Sequence, residues 1–156
     1  MKTLISLLTI LLTFSHSAYA EITKKTIPFD NTIQIQSYHK DKNVKLPQIL
    51  IFKKYGTDYY LLGKNAFRTI NYLTSLENAK IKINNKIYSI DYRTYDFSSN
   101  FSFKFDDEIL NEIKTANNIQ IQLPIHTTVD TEIVNNYNFS IPKNIIDEWK
   151  QVIAME

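Results

Sequence analysis

The chain has 156 residues and no cysteine, and its 18 Lys and Arg against 16 Asp and Glu give a formal net charge of +2. This length suits one domain with one hydrophobic core, while the lack of cysteine excludes disulfides and thiol chemistry. The near balance of charge argues against a nucleic-acid-binding protein, because such proteins need a concentrated basic surface.

Residues 1–20 have the three-part layout of a secretory signal peptide. Lys2 supplies a positive charge, residues 4–14 form an apolar run, and a small-x-small cleavage motif ends at Ala20. The apolar run is about half of the ~20 residues that a membrane-spanning helix needs. We therefore expect a cleaved signal and a single globular β-rich domain over 21–156, exported to the periplasm or the medium as a soluble protein without a transmembrane segment.

Short apolar patterns dominate the first half of the exported chain. The alternation of polar and apolar residues over 32–36 predicts a half-buried strand, and the apolar run 48–52 predicts a central strand. A turn at Gly56 leads into residues 59–62 and predicts a hairpin. Residues 65–79 carry apolar side chains at helical spacing together with strand-forming residues, and we favour a helix there over a strand.

Residues 79–92 give the strongest local prediction, which is a hairpin with a two-residue turn at Asn84-Asn85. Its register places Lys80 and Lys82 on the solvent face. The opposite face, towards the core, carries Ala79, Ile81, Ile83, Tyr88 and Ile90. Because a slip of one residue would bury both lysines, this register is strongly specified.

The second half combines alternating strands with two helices. Residues 100–105 and 119–125 alternate with period two, and 127–141 predicts a last hairpin that turns at Asn135-Asn136. Asp106 or Asp107 can cap a short helix between the two alternating strands. After Pro142 an apolar stripe of helical spacing follows, formed by Ile145, Ile146, Trp149, Val152 and Ile153.

Together these elements predict a mainly β fold of the α+β class. We expect an antiparallel sheet or a small β-sandwich, with one short internal helix and a C-terminal amphipathic helix that covers the sheet.

Few residues are candidates for chemistry. His39 and His126 are the histidines left after cleavage, and neither belongs to a two-histidine metal spacing. The chain has two glycines, which excludes a Gly-rich phosphate loop and a Gly-x-Ser-x-Gly nucleophile elbow. The acidic run 106–108 stands at a predicted helix start, where carboxylates complement the helix dipole. We therefore expect no metal ion and no cofactor.

Tyrosine is the remaining unusual feature, with ten in the chain. Tyr59 and Tyr60 must face opposite sides of a strand, and exposed tyrosines favour binding. We therefore take Tyr59, Tyr60 and Tyr95 as candidate binding residues of a non-catalytic interaction module for a protein or a cell-envelope component. The alternatives are a periplasmic inhibitor or immunity protein of a secreted enzyme, and a small hydrolase that uses His126 or His39.

Export makes a direct prediction about the N-terminus. If the signal is cleaved as its motif indicates, N-terminal sequencing of the exported product will begin at Glu21. A product that still begins at Met1 would contradict the predicted cleavage and would indicate an anchored protein.

Overall fold

The structure is a computed structural model, and it describes residues 21–41, 46–65, 71–73, 78–94, 100–127 and 133–155. The predicted signal peptide and Tyr95 lie outside the described residues. In chain order the elements are β1 (Glu21–Thr26), β2 (Ile33–Lys40), β3 (Ile49–Tyr55), β4 (Asp58–Lys64), β5 (Asn71–Leu73), β6 (Ala79–Ile83), β7 (Lys86–Ile90), β8 (Tyr92–Thr94), β9 (Asn100–Phe105), α1 (Asp107–Thr115), β10 (Ile119–Thr127), β11 (Ile133–Ile141) and α2 (Lys143–Ala154).

The strands form two antiparallel sheets, which confirms the predicted mainly β fold. The first sheet has the order β1-β2-β3-β4-β9-β8, and the second has the order β11-β10-β6-β7, with β5 also paired to β10. Only Asp91 separates β7 from β8. The chain therefore passes directly from the edge of the second sheet to the edge of the first.

Both predicted hairpins with short turns are confirmed. The turn between β3 and β4 places Gly56 at φ +58°, and the turn between β6 and β7 places Asn84 at φ +52°. Glycine adopts this left-handed conformation freely, and asparagine tolerates it better than most residues. In the second hairpin Ile81 pairs with Tyr88, as the alternation of apolar and lysine residues predicts.

Two predictions about the chain path are wrong. Residues 71–73, which we expected in a helix, form β5 and pair with the far end of β10, where β6 no longer reaches. The expected turn at Asn135-Asn136 is also absent, because residues 133–141 form one strand along β10. A register shift between Ile125 and His126 accommodates the extra residue. The connection at 128–132 lies outside the described residues.

The two helices begin where the sequence predicts. The Asp106 carboxylate caps α1 and accepts a hydrogen bond of 2.9 Å from the backbone N–H of Ile109, which satisfies an otherwise free donor. Helix α2 follows Pro142 and packs on β2 and β3. Its buried side chains are Ile145, Ile146, Trp149 and Val152.

The core lies between the inner faces of the sheets, with the helices packed into it. The Trp149 ring stacks on Phe52 with centroids 5.0 Å apart, and the rings of Phe101 and Phe139 meet across the two sheets at 6.3 Å. Phe101 also lies directly on Gly63, where an added Cβ would come 2.1 Å from its ring. The inner face of the first sheet is thus occupied around Phe52 and Gly63, whereas Ile33 at its β1 end is 40% exposed.

We expect Trp149→Ala to lower the free energy of unfolding by about 3–5 kcal/mol, because it removes a fully buried ring and leaves a cavity. Urea unfolding followed by circular dichroism measures this change, since Trp149 is the single tryptophan of the chain and the variant loses its fluorescence signal. Ile87→Ala is the control, because the Ile87 side chain is 66% exposed and should change stability by less than about 0.5 kcal/mol. If the two substitutions lowered the free energy of unfolding equally, the stack of Trp149 on Phe52 would not be a central contact of the core.

Candidate functional site

The adjacent tyrosines Tyr59 and Tyr60 face opposite sides of β4. Tyr59 points inward, where its ring lies 6.0 Å from that of Phe52 and its hydroxyl lies 3.5 Å from the carbonyl oxygen of Ile153 in α2. The Lys54 ammonium covers the same ring at 5.7 Å. Tyr59 therefore helps to hold α2 on the sheet, and Tyr60 is the member of the pair that points outward.

Tyr60 belongs to the outer face of the first sheet, which we call the basic face. The strand register aligns its outward residues in rows that run across the sheet, one of which passes from Tyr38 through Ile51 and Leu62 to Ser102. The aromatic and aliphatic side chains of the face are half-buried and adjoin one another: Tyr38, Ile49, Ile51, Tyr55, Tyr60 and Leu62. Aromatic and aliphatic side chains of this kind, here with Ile51 and Leu62 at the centre and the tyrosines around them, are also found in protein-binding surfaces.

Positive charge is concentrated on the basic face. By register, its acidic residues are Glu21 and Asp58, and its basic residues are Lys25, Lys40, Lys53, Lys64, Arg93 and Lys104. The excess of four positive charges on this face is larger than the formal net charge of +2 for the whole chain. A surface of this kind attracts acidic partners and speeds their association at low ionic strength.

Lys25 and Lys53 are two neighbouring cations of the basic face, and the Lys53 ammonium also lies over the Tyr55 ring at 4.9 Å. Burial lowers the pKa of Lys53 below its usual range, and the positive charge of Lys25 lowers it further. Within the described part of the chain neither lysine forms a salt bridge. Two amides lie on β2 between their strands, where Gln34 donates a 2.8 Å hydrogen bond to Gln36. An anion placed here would meet two ammonium groups and relieve their mutual repulsion.

Tyr60 is held in place at the other side of the face. Its hydroxyl donates a hydrogen bond of 3.1 Å to Asp58, and Asp58 forms a salt bridge of 2.9 Å with Lys104. The hydrogen bond from Lys104 is the main reason that the pKa of Asp58 is lowered. Beyond Tyr60 a cavity of about 710 Å³ opens, lined also by Arg93. The face thus ends in a recess whose charged lining residues are two cations and two carboxylates, Arg93, Lys104, Asp91 and Asp106.

The two histidines lie in different sheets, His39 in β2 and His126 in β10. His39 is 8% exposed, and its Nδ1 atom has no hydrogen-bond partner among the residues that the structure describes. It lines a groove of about 880 Å³ on the second sheet. The His126 backbone pairs with Tyr72, whereas its side chain is outside the description.

Tyr137 lines the same groove. Burial raises the pKa of Tyr137 to about 12, and the negative charge of Asp41 contributes to the rise. A phenol with the usual pKa of about 10 is already neutral at physiological pH, so this shift leaves its protonation state there unchanged.

The chain matches no known relative, and its described residues contain no cluster that could hold a metal ion. Comparisons with models of known families, with curated proteins and with solved structures found nothing similar. Among the described residues, no cluster of three or more His, Asp or Glu side chains could hold a metal ion. In the same residues no helix is long and apolar enough to cross a membrane.

The lysine pair gives a measurable prediction. We expect Lys25→Gln to raise the pKa of Lys53 part of the way towards its usual value, since the repulsion disappears and the burial remains. Titration of the Lys53 side chain by heteronuclear NMR measures it. The pKa of Lys53 is lower in the folded protein than in the unfolded chain, so between these two pKa values the unfolded chain binds more protons. The free energy of unfolding that Lys53 contributes therefore rises with pH in this range. The rise should be smaller in the Lys25→Gln variant.

Lys40→Gln is the matched control. Lys40 also belongs to the basic face, but it lies on β2 four residues beyond Gln36, the residue that pairs with Lys53. If both substitutions shifted the Lys53 titration equally, a specific interaction between Lys25 and Lys53 would be excluded.

Proposed function

We propose that the chain is an exported, non-catalytic interaction module that binds an acidic protein surface through the basic face. The observation that carries this proposal is the pair Lys25 and Lys53, two cations that repel each other beside a patch of half-buried tyrosine and aliphatic side chains. The signal-like segment 1–20 supports export.

The first support is the match between the basic face and the usual anatomy of protein interfaces. Such interfaces place aromatic and aliphatic side chains at the centre and polar or charged groups at the rim. Here Ile51 and Leu62 are paired neighbours in the middle of the sheet, whereas Lys25 and Arg93 lie on the outermost strands and Lys53 lies inside the sheet on β3, opposite Tyr60. The apolar centre would supply affinity, and the charged rim would supply orientation and rate.

The second support is preorganisation. The hydrogen bond of Tyr60 to Asp58 and the salt bridge of Asp58 to Lys104 fix the tyrosine on a rigid strand before any partner arrives. A side chain that is already ordered loses less conformational entropy on binding. Tyr60 is therefore the residue that we expect to contribute most to affinity.

The third support is charge. A partner carboxylate placed between Lys25 and Lys53 would form charge-assisted hydrogen bonds and would remove a repulsion present in the free protein. This relief exists only in the complex, so it adds to affinity and favours acidic partners over neutral ones. Binding should accordingly weaken as the salt concentration rises.

The alternative is an inhibitor or immunity protein of a secreted enzyme, which would block the active site of that enzyme with an exposed loop or an acidic edge. The identity of the partner distinguishes the inhibitor from the interaction module. Capture of an enzyme in a one-to-one complex would indicate an inhibitor, and capture of a structural envelope component would indicate an interaction module.

The test is capture followed by measurement of affinity. The chain spanning 21–156 is immobilised and exposed to an envelope extract, and bound proteins are identified by mass spectrometry. We expect a partner with an acidic surface, whose dissociation constant rises about tenfold or more for Tyr60→Ala and for the double variant Lys25→Gln/Lys53→Gln.

The double variant Lys80→Gln/Lys82→Gln removes the same charge from the second sheet and serves as the matched control. It should bind the partner like the wild type. A partner lost equally from both double variants, or retained by Tyr60→Ala at full affinity, would contradict a role for the basic face.

A further inference from the structure

One edge of the first sheet is the strand β1, and we call its outer side the β1 edge. β1 pairs with β2 on one side, and no strand of the described chain lies along the other. Four of its six residues are exposed. An exposed strand edge can add a further strand, because it presents a row of backbone N–H and C=O groups. The side chains of β1 therefore decide which strand fits.

The backbone groups that point to the open side belong to alternate residues of β1. Just beyond the strand, the N–H of Ile27 donates a hydrogen bond of 2.9 Å to the carbonyl oxygen of Thr32, in the register of the pairs between β1 and β2. In an antiparallel ladder, hydrogen-bonded and non-hydrogen-bonded positions alternate along the strand. The odd-numbered residues of 21–25 therefore bond towards β2, and the even-numbered residues of 22–26 direct their N–H and C=O groups to the open side.

A second copy of β1 fits this edge in antiparallel orientation at few registers. Even-numbered residues must lie opposite even-numbered residues, so the two-fold axis passes through one residue of the strand. An axis through Lys24 or Lys25 would place like charges directly opposite each other, which is destabilising. An axis through Ile22 or Thr26 would overlap only one end of the strand. An axis through Thr23 avoids both problems.

The register with Thr23 on the axis is complementary in charge. Glu21 of one copy then lies opposite Lys25 of the other, and this pair occurs twice. Both side chains are exposed on the same side of the sheet, and among the described residues neither forms a salt bridge within the chain. Opposite charges and Thr–Thr pairs directly across two strands are both favourable. The β1 edge is therefore complementary to itself, whereas its lysines disfavour other basic strands.

We propose that two copies of this chain associate through their β1 edges into a dimer with Thr23 on the two-fold axis. The first sheets join into one sheet of twelve strands, six from each copy. Because paired residues point to the same side, the two basic faces lie next to each other on one surface. The interface is one short strand, so we expect a weak dimer with a dissociation constant on the order of 100 µM. This inference is independent of the proposed acidic partner, and either can fail without the other.

Sedimentation equilibrium of the chain spanning 21–156, from about 10 µM to about 1 mM, measures the dissociation constant of the dimer. Lys25→Glu and Glu21→Lys should each weaken dimerisation about tenfold or more, because like charges then lie across the strands. The double variant Glu21→Lys/Lys25→Glu restores opposite charges and should return the dissociation constant to within about threefold of the wild-type value. Lys64→Glu is the matched control, because it makes the same charge change on β4, and it should leave dimerisation unchanged.

A nuclear Overhauser effect locates the interface. Glu21 and Lys25 are about 13 Å apart along one strand, whereas in the dimer their Cα atoms lie about 4.5 Å apart across the axis. A contact between the Hα atoms of these two residues therefore arises only between copies, and we expect it in the wild-type chain at about 1 mM. A chain that stays monomeric at this concentration would overturn the proposal. So would a dimer that lacks this contact, or one that both single variants leave at wild-type affinity.

Discussion

The stack of Trp149 on Phe52 is the contact on which the exposure of the basic face depends. It holds α2 against the inner face of the first sheet, beside the hydrogen bond of 2.9 Å that Ser37 donates to Glu148. Because the chain has no cysteine, packing of this kind must supply the stability that disulfides give to many exported domains. A sheet has two faces, so the side that α2 covers determines which residues remain available to a partner.

The same constraint explains why the tyrosines of β4 have different roles. Tyr59 lies under α2 and contributes to packing, whereas Tyr60 emerges on the basic face.

Lysines also differ in role according to their neighbours. Lys86 pairs with Glu112 and Lys143 with Asp147, which are exposed pairs of small energetic value. Lys25 and Lys53 instead repel each other, and Lys80 and Lys82 form no salt bridge within the described residues.

Local pattern was sufficient to predict much of the fold. The hairpin of β6 and β7 follows from alternating isoleucine and lysine residues, and α2 follows from its apolar stripe. Other elements were missed for physical reasons. The polar segment of β1 has no alternation, because its strand is an edge with little burial. A turn at Asn135-Asn136 is predicted because asparagine favours turns. In the structure this segment is part of β11, because pairing along the whole of β10 outweighs that preference.

The candidate surfaces were harder to predict than the fold, since each assembles side chains from several strands. The residues of the basic face come from six strands and meet only through the register, and a formal net charge of +2 conceals their local excess of positive charge. The groove likewise joins the end of β2 to a different sheet. The sequence identifies His39 as a candidate, but its burial and the lack of a hydrogen-bond partner for its Nδ1 atom among the described residues depend on the three-dimensional structure.

The most direct test of the central claim is methyl cross-saturation NMR on the complex with a captured partner. If the basic face is the interface, saturation of the partner will reduce the methyl signals of Ile51 and Leu62, which lie side by side on that face. The methyl signals of Ile87, exposed on the second sheet, should stay at full intensity. Reduction of the Ile87 signals with Ile51 and Leu62 unaffected would contradict the account.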